Sequence, residues 1–332
     1  MNNLIKNNHL IKKINGPVFS IITPFKKNEK IDYNLLFKNL KFYYQNGVRV
    51  FYLMFYNSRL NLLSERETLT LNIKISHYIK KNFKNTIFIG AIKMEGSAKE
   101  ILSKLEKLSK SKMEAVSIVF GEKFYSEDQV YSHFKYLNDK SSLPILLHLQ
   151  MMMSGFGIKP PFINYSLKLA QKICSLNNIV AIKDDAKIHD FTIKLISKVK
   201  SKVLVIRSGG GMSAFRKYYS QGCHSWLVGL ELLDPTIAYD YFNALKNKDI
   251  NYLIKIEKFI EEPFFKEMKK YGWHLFIKSC LENCRIMNRD ERLPLKKLHI
   301  KDHKKISKFM ENLRKSSKKY LNKNYFYKRN LI

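Results

Sequence analysis

Eight short apolar runs recur along the first part of the chain, and they limit the folds open to it more than any other feature. They are "PVFSIIT" (17–23), "RVFYLMF" (49–55), "TIFIGAI" (86–92), "AVSIVF" (115–120), "PILLHL" (144–149), "IVAIK" (179–183), "VLVIR" (203–207) and "SWLVGL" (225–230). Each is nearly continuously apolar, as expected of a parallel strand covered on its outer face. Helical patterns lie between them. "SAKEILSKLEKLSK" puts Ala98, Ile101, Leu102, Leu105 and Leu108 on one stripe, with Ser97 and Glu100 spaced as a capping box. Ser64 and Glu67 repeat that spacing, while Asp32 and Gly47 bracket a third helix. Strand then helix, eight times over about 230 residues, predicts a (β/α)8 TIM barrel. The runner-up is a doubly wound sheet, which would carry a glycine-rich turn after its first strand. Here that place reads "TPFKKNEK".

Beyond Pro235 the strand pattern stops and four helical segments follow. The expected organisation is a polar leader (1–15), a barrel (16–247) and a C-terminal helical region with a basic tail (248–332). The last residues, "NKNYFYKRNLI", are expected to fray, with docking of their aromatics as the alternative. "MMMSGFG" (151–157) reads as packing, and "YGWH" (271–274) as a packing cluster against the barrel.

Apolar residues make up 45% of the 332, enough for a sizeable core, and no run is long enough to span a membrane. The N-terminus has no apolar core or cleavage site of a signal peptide, so a cytoplasmic location is expected. Cys174, Cys223, Cys280 and Cys284 fit a reducing compartment as buried thiols. The net charge is +32, and the segment from Lys301 to Ile332 holds eleven Lys/Arg against Asp302 and Glu311. The rest of the excess is spread along the chain, as compositional bias would leave it. Nucleic-acid affinity is therefore expected only as nonspecific binding at low salt. No metal constellation or cofactor fingerprint is present: His224, His274 and His299 are isolated, and "RSGGGMS" (207–213) has neither phosphate-loop nor dinucleotide spacing.

Lys183 is the residue that needs explaining, because it closes an apolar strand in "VAIKDDA". The C-terminal ends of barrel strands line the active site. Burial there lowers a lysine's pKa and frees its amine to attack a carbonyl. The alternative is a structural lysine paired with Asp184 or Asp185.

At these residues the chain resembles the dihydrodipicolinate synthase / N-acetylneuraminate lyase family of class I aldolases. "ITPFKKNEKID" resembles the family's opening and "LSERE" the start of its second helix. "VAIKDDA" resembles its Gly-Ile-Lys-Asp-Ser strand, and "KSCLENCRIMNRDERLPL" its C-terminal Lys-x-x-Leu … Arg-x-Pro-Leu run. The resemblance spans roughly residues 16 to 315. It implies a Schiff base between Lys183 and a 2-oxo acid, and a homotetramer.

The chain departs from the family after strand two. "FYNSR" (55–59) stands in place of Gly-Thr-Thr-Gly-Glu, so Tyr56 and Asn57 replace the hydroxyls and Arg59 the glutamate. His148 stands where the family has its proton-relaying tyrosine. His148 suits acid–base work near neutral pH. Arg59 offers a fork for a carboxylate, with a salt bridge in the loop as its alternative, and Asn57 and Ser58 offer hydrogen bonds to the same anion, with plain turn roles as theirs. Gly209 and Gly210 begin a turn able to cradle an anion or polar tail, and Leu227 on the last strand completes the expected binding set. The sequence thus supports a Schiff-base lyase, aldolase or dehydratase acting on a 2-oxo acid. Dihydrodipicolinate synthase itself, or a non-catalytic barrel with a polyanion-binding surface, remain as alternatives.

Overall fold

The computed structural model describes Leu10 and residues 13–332; the other leader positions lie outside the described residues. Eight parallel strands close a barrel: β1 (Gly16–Ser20), β2 (Val50–Tyr52), β3 (Ile87–Ala91), β4 (Ala115–Ile118), β5 (Ile145–Leu149), β6 (Ile179–Asp184), β7 (Leu204–Arg207) and β8 (Ser225–Leu227). They pair in sequence order, and β8 closes onto β1. The eight expected runs each hold one of them. The chain is therefore a (β/α)8 barrel with a C-terminal helical extension.

Eight helices clothe the barrel: α1 (Tyr33–Gln45), α2 (Glu65–Asn82), α3 (Ala98–Ser109), α4 (Glu127–Lys140), α5 (Leu167–Cys174), α6 (His189–Val199), α7 (Gly211–Tyr219) and α8 (Pro235–Lys246). Ser64 with Glu67 and Ser97 with Glu100 form full capping boxes, and Asp32 caps α1. Each satisfies amides that would otherwise be orphaned at a helix start.

Side-chain alternation divides the core in two. Val18, Val50, Tyr52, Leu146, Ala181 and Leu204 point inward and fill the barrel, joined from below by Leu10 and Ile14 of the leader. Phe19, Phe51, Leu147, Ile182 and Val205 point outward, beneath the helices. This period of two fixes the site. With Leu146 and Ala181 inward, His148 and Lys183 must also face inward, and the β5–β6 register sets them side by side.

The C-terminal region continues as α9 (Ile250–Ile256), a π-helical turn (Glu257–Glu261), α10 (Glu262–Met268), α11 (Trp273–Asn283) and α12 (Ile300–Leu321). The π turn precedes Pro263, which has no N–H to continue the α-helical ladder. The last residues dock rather than fray. Phe326 is fully buried, its N–H donates to Asp234 Oδ2 at 3.0 Å, and Arg329 donates to the same oxygen at 3.0 Å. Asp234 also caps α8 through Oδ1, so the tail is tied to a helix start. We predict that Phe326→Ala lowers unfolding stability by about 3–5 kcal/mol. Chemical denaturation reads this, and a change under 1 kcal/mol would mean that the tail adds nothing.

"MMMSGFG" does not pack as expected. Met152 is buried, but Met151, Met153 and Phe156 are exposed around a two-stranded ribbon that pairs Met152–Met153 with Phe162–Ile163. All four cysteines are buried and free.

Candidate active site

Lys183 and His148 meet at the inner, C-terminal end of the barrel. Lys183 Nζ lies 2.8 Å from His148 Nε2 and 3.1 Å from Asp185 Oδ2. Asp185 Oδ2 is 3.7 Å from His148 Nε2, so the three groups form a closed triangle. The Lys183 and His148 side chains are inaccessible to solvent, whereas Asp185 is partly exposed. Behind them the strand end is held rigidly. Asp184 Oδ2 accepts from Thr192 at 2.6 Å, and Arg207 Nη1 donates to the Asp184 carbonyl at 2.9 Å.

Burial sets the protonation states. It lowers the Lys183 pKa, a shift partly opposed by the charge of Asp185. Burial and the neighbouring ammonium push His148 down to about 4, so its imidazole is neutral at pH 7. Burial works against the charge on Asp185, yet hydrogen bonding to His148 and the charge of Lys183 hold its pKa below the ordinary carboxylate range. The site therefore holds an ionised acid, a neutral imidazole and an amine that sheds its proton more readily than a free lysine.

A cavity of about 610 Å³ opens above this triangle, at the end where barrel enzymes carry their sites. Tyr56, Asn57, Gly209, Gly210 and Leu227 line it, as expected from the sequence. Lys183 and His148 do not reach its wall. Asp185 does, so that carboxylate stands between the amine and the cavity.

Two expected ligands of the substrate carboxylate point elsewhere. Ser58 is fully buried; its hydroxyl donates to the Ile21 carbonyl and accepts from the Met54 N–H at 2.9 Å. It latches strand one to strand two and has no hydrogen left for an anion. Arg59 sits in a left-handed turn at φ 63°. That turn carries its guanidinium behind the cavity wall, 3.7 Å from Glu291, which lies 3.8 Å from Lys278. All three side chains are buried, and burial lowers the Arg59 pKa and brings Lys278 down to about 8.

The expected anion cradle is also partly filled from within. Gly209, Gly210 and Gly211 are all left-handed, with φ of 75°, 77° and 67°. The first amides of α7, on Met212 and Ser213, donate to the buried Glu261 carboxylate on the π turn, Ser213 at 3.0 Å. A Cβ on Gly211 would fall 2.2 Å from Glu261 Oε1, so only glycine fits there. Burial and the nearby Glu231 push Glu261 up to about 8. The cradle thus presents Gly209, Gly210 and Gly211 to the cavity, while the next two amides are taken by Glu261.

The C-terminal region supplies residues that sequence reasoning read as packing. Trp273 and His274, from "YGWH", line the cavity together with Phe265, Met268 and Lys269. Trp273 Nε1 donates to Asn57 Oδ1 at 2.9 Å, and Asn57 Nδ2 donates to Ser20 Oγ at 3.1 Å. Asn57 therefore ties the helical extension to the first strand. Among the described residues, no helix is long and apolar enough to cross a membrane.

A parallel barrel with a buried amine at the end of strand six is the architecture of class I aldolase-type lyases, whose lysine forms a Schiff base. Residues 13–313 match the Dihydrodipicolinate synthetase family, and the chain belongs to it. It is 24% identical over 297 residues to a 4-hydroxy-tetrahydrodipicolinate synthase of Oenococcus oeni, covering 89% of this chain and 94% of that protein. A protein of the same name from Karelsulcia muelleri is 25% identical over 295 residues, covering 86% of this chain and 93% of that one. The fold is that of the dihydrodipicolinate synthase of Bacillus clausii, with a TM-score of 0.78 at 18% identity over 91% of this chain and 98% of that one.

Proposed function

We propose that this enzyme is a Schiff-base lyase or aldolase acting on a 2-oxo acid, with Lys183 as nucleophile and His148 as proton carrier. The observation that carries this reading is the contact of 2.8 Å between a buried, pKa-lowered amine and a neutral imidazole at the catalytic end of the barrel.

The neutral amine adds to the keto carbon; the carbonyl oxygen takes one proton from the amine nitrogen and a second delivered through the site, and leaves as water. The resulting iminium draws electrons from the adjacent carbon–carbon or carbon–hydrogen bond. His148 accepts and returns the proton at that carbon. Tyr56, Asn57 and Lys187 line the cavity and serve the carboxylate.

The test is incubation with pyruvate, then borohydride, then intact mass and peptide mapping. A reduced adduct on Lys183 is expected. Its absence across a panel of 2-oxo acids would remove the reading. The name shared by the relatives raises a narrower possibility, 4-hydroxy-tetrahydrodipicolinate synthase activity; the replaced "FYNSR" loop argues against it.

Asp185 must move off Nζ before a carbonyl can reach it. Its charge also favours the ammonium form of Lys183. Asp185→Asn removes that charge, so the amine deprotonates at lower pH. The rate of adduct formation rises with pH in both proteins, and the rise in the variant is expected at lower pH. A pH profile of borohydride trapping checks this; an unchanged profile would mean that Asp185 does not control the amine.

A further inference from the structure

The cavity is much larger than a small 2-oxo acid needs. At about 610 Å³ it falls among pockets for ligands of drug size, roughly 300–1,000 Å³. A molecule with six heavy atoms leaves most of it open, and the chemistry of the remaining wall is uneven. Around Asp185 and Asn57 it is polar. The rest of the lining sets the apolar side chains of Met54, Leu227, Phe265, Met268 and Trp273 beside Tyr56, Lys187, Ser208, Lys269 and His274. The last three apolar residues come from the C-terminal helices, so the extension supplies much of the apolar wall of the cavity.

That wall is rigid where it matters. Trp273 is held by its hydrogen bond to Asn57, and Phe264, beneath it, is fully buried and packs edge-on to the Trp273 ring at 6.4 Å. A preformed aromatic wall favours a flat apolar ligand, because little side-chain entropy is lost on binding. The cations on this wall, Lys187 and Lys269, are exposed and sit at its rim.

From this wall we infer that the second carbonyl compound handled at Lys183 is an apolar, aryl-bearing aldehyde rather than a small polar one. The inference rests on the Schiff-base reading for its chemistry and on the cavity wall for its specificity. After the keto acid forms its iminium and loses a proton to give the enamine, the enamine carbon bonds to the aldehyde carbon. The aldehyde oxygen takes up a proton and becomes a hydroxyl. Water then hydrolyses the iminium, which releases the hydroxy-keto acid and returns the Lys183 amine. The reverse sequence cleaves such a product into the keto acid and the aryl aldehyde.

Two readouts on the full chain separate this inference from the reading beneath it. The first is binding of 3-phenylpropanoate against glycerate, followed by tryptophan fluorescence. Trp273 lines the cavity and the other tryptophan, Trp226, is buried in the core, so Trp273→Phe identifies the signal. Binding of 3-phenylpropanoate at least tenfold tighter than glycerate is expected, and Phe265→Ser with Met268→Ser should remove that preference. Equal binding of the two, or none of either, overturns the inference whether or not Lys183 traps pyruvate. The second is pyruvate consumption with benzaldehyde against glyceraldehyde. A kcat/KM at least tenfold higher with benzaldehyde supports the inference, and a preference for glyceraldehyde overturns it. Failure to trap pyruvate removes the Schiff-base reading and with it the aldol chemistry, while the binding comparison still tests the apolar wall by itself.

Discussion

Replacing Lys183 by Met is expected to abolish the borohydride-trapped adduct and to lower turnover by about 10³–10⁶-fold, the range over which enzymes lose activity when a nucleophile is removed. Methionine keeps the apolar stem and fills the space, so the barrel interior does not collapse. The remaining question is Asp185, whose charge loses its nearest cation. Its side chain is partly exposed at the cavity, so water can replace the ammonium, and the protein should stay folded. Lys183→Arg serves as the companion variant. It keeps a cation beside Asp185 but cannot form an imine, because the guanidinium stays charged. Both variants should be inactive, with melting curves close to wild type. Turnover retained in Lys183→Arg would show that the reaction does not pass through an imine at this position.

The barrel and its central pair were legible in the sequence. Lys183 was legible because it closes an apolar strand at the catalytic end of a barrel, and His148 because the resemblance puts it in the place of the family's tyrosine; the alternation that turns both inward appears only once Leu146 and Ala181 are seen in the core. The loop after strand two has no such alternation. Its alignment with the family gives positions only, and the left-handed turn at Arg59 reverses where that side chain goes. Its partner Glu291 lies far along the chain and adjoins Lys278, a pairing that no local pattern announces. Ser58 was misread for a similar reason: a hydroxyl that could bind an anion instead closes two strands.

Trp273 packs against the core as read, and its second role, lining the cavity, went unread. An aromatic with a polar N–H at a helix start, just after Gly272, suits a surface that is apolar on one side and wet on the other. That signal separates a cavity wall from a packing cluster. Asp185 was weighed only as a structural partner of the lysine. The structure gives it a second face, toward the cavity, and so control over access to the amine.

The second large effect is expected at His148. Its Nδ1 is buried with no hydrogen-bond partner. Nε2 faces Lys183, so it is the ring nitrogen placed to take and return a proton at the reacting centre. The Lys183 amine also donates to Asp185. The ammonium is also one cause of the low His148 pKa. When Lys183 gives up its proton that repulsion disappears and the imidazole becomes a better base, so the two groups titrate as a unit. His148→Phe fills the same buried space without a nitrogen. Attack on the keto carbon needs only the neutral amine, so the variant should still trap pyruvate on Lys183. The steps that move a proton at carbon lose their carrier, and turnover should fall by about 10²–10⁴-fold. Single-turnover trapping beside steady-state rates separates the two. Turnover near wild type would take His148 out of proton transfer. Loss of trapping in a folded variant would place its work earlier, in forming the imine.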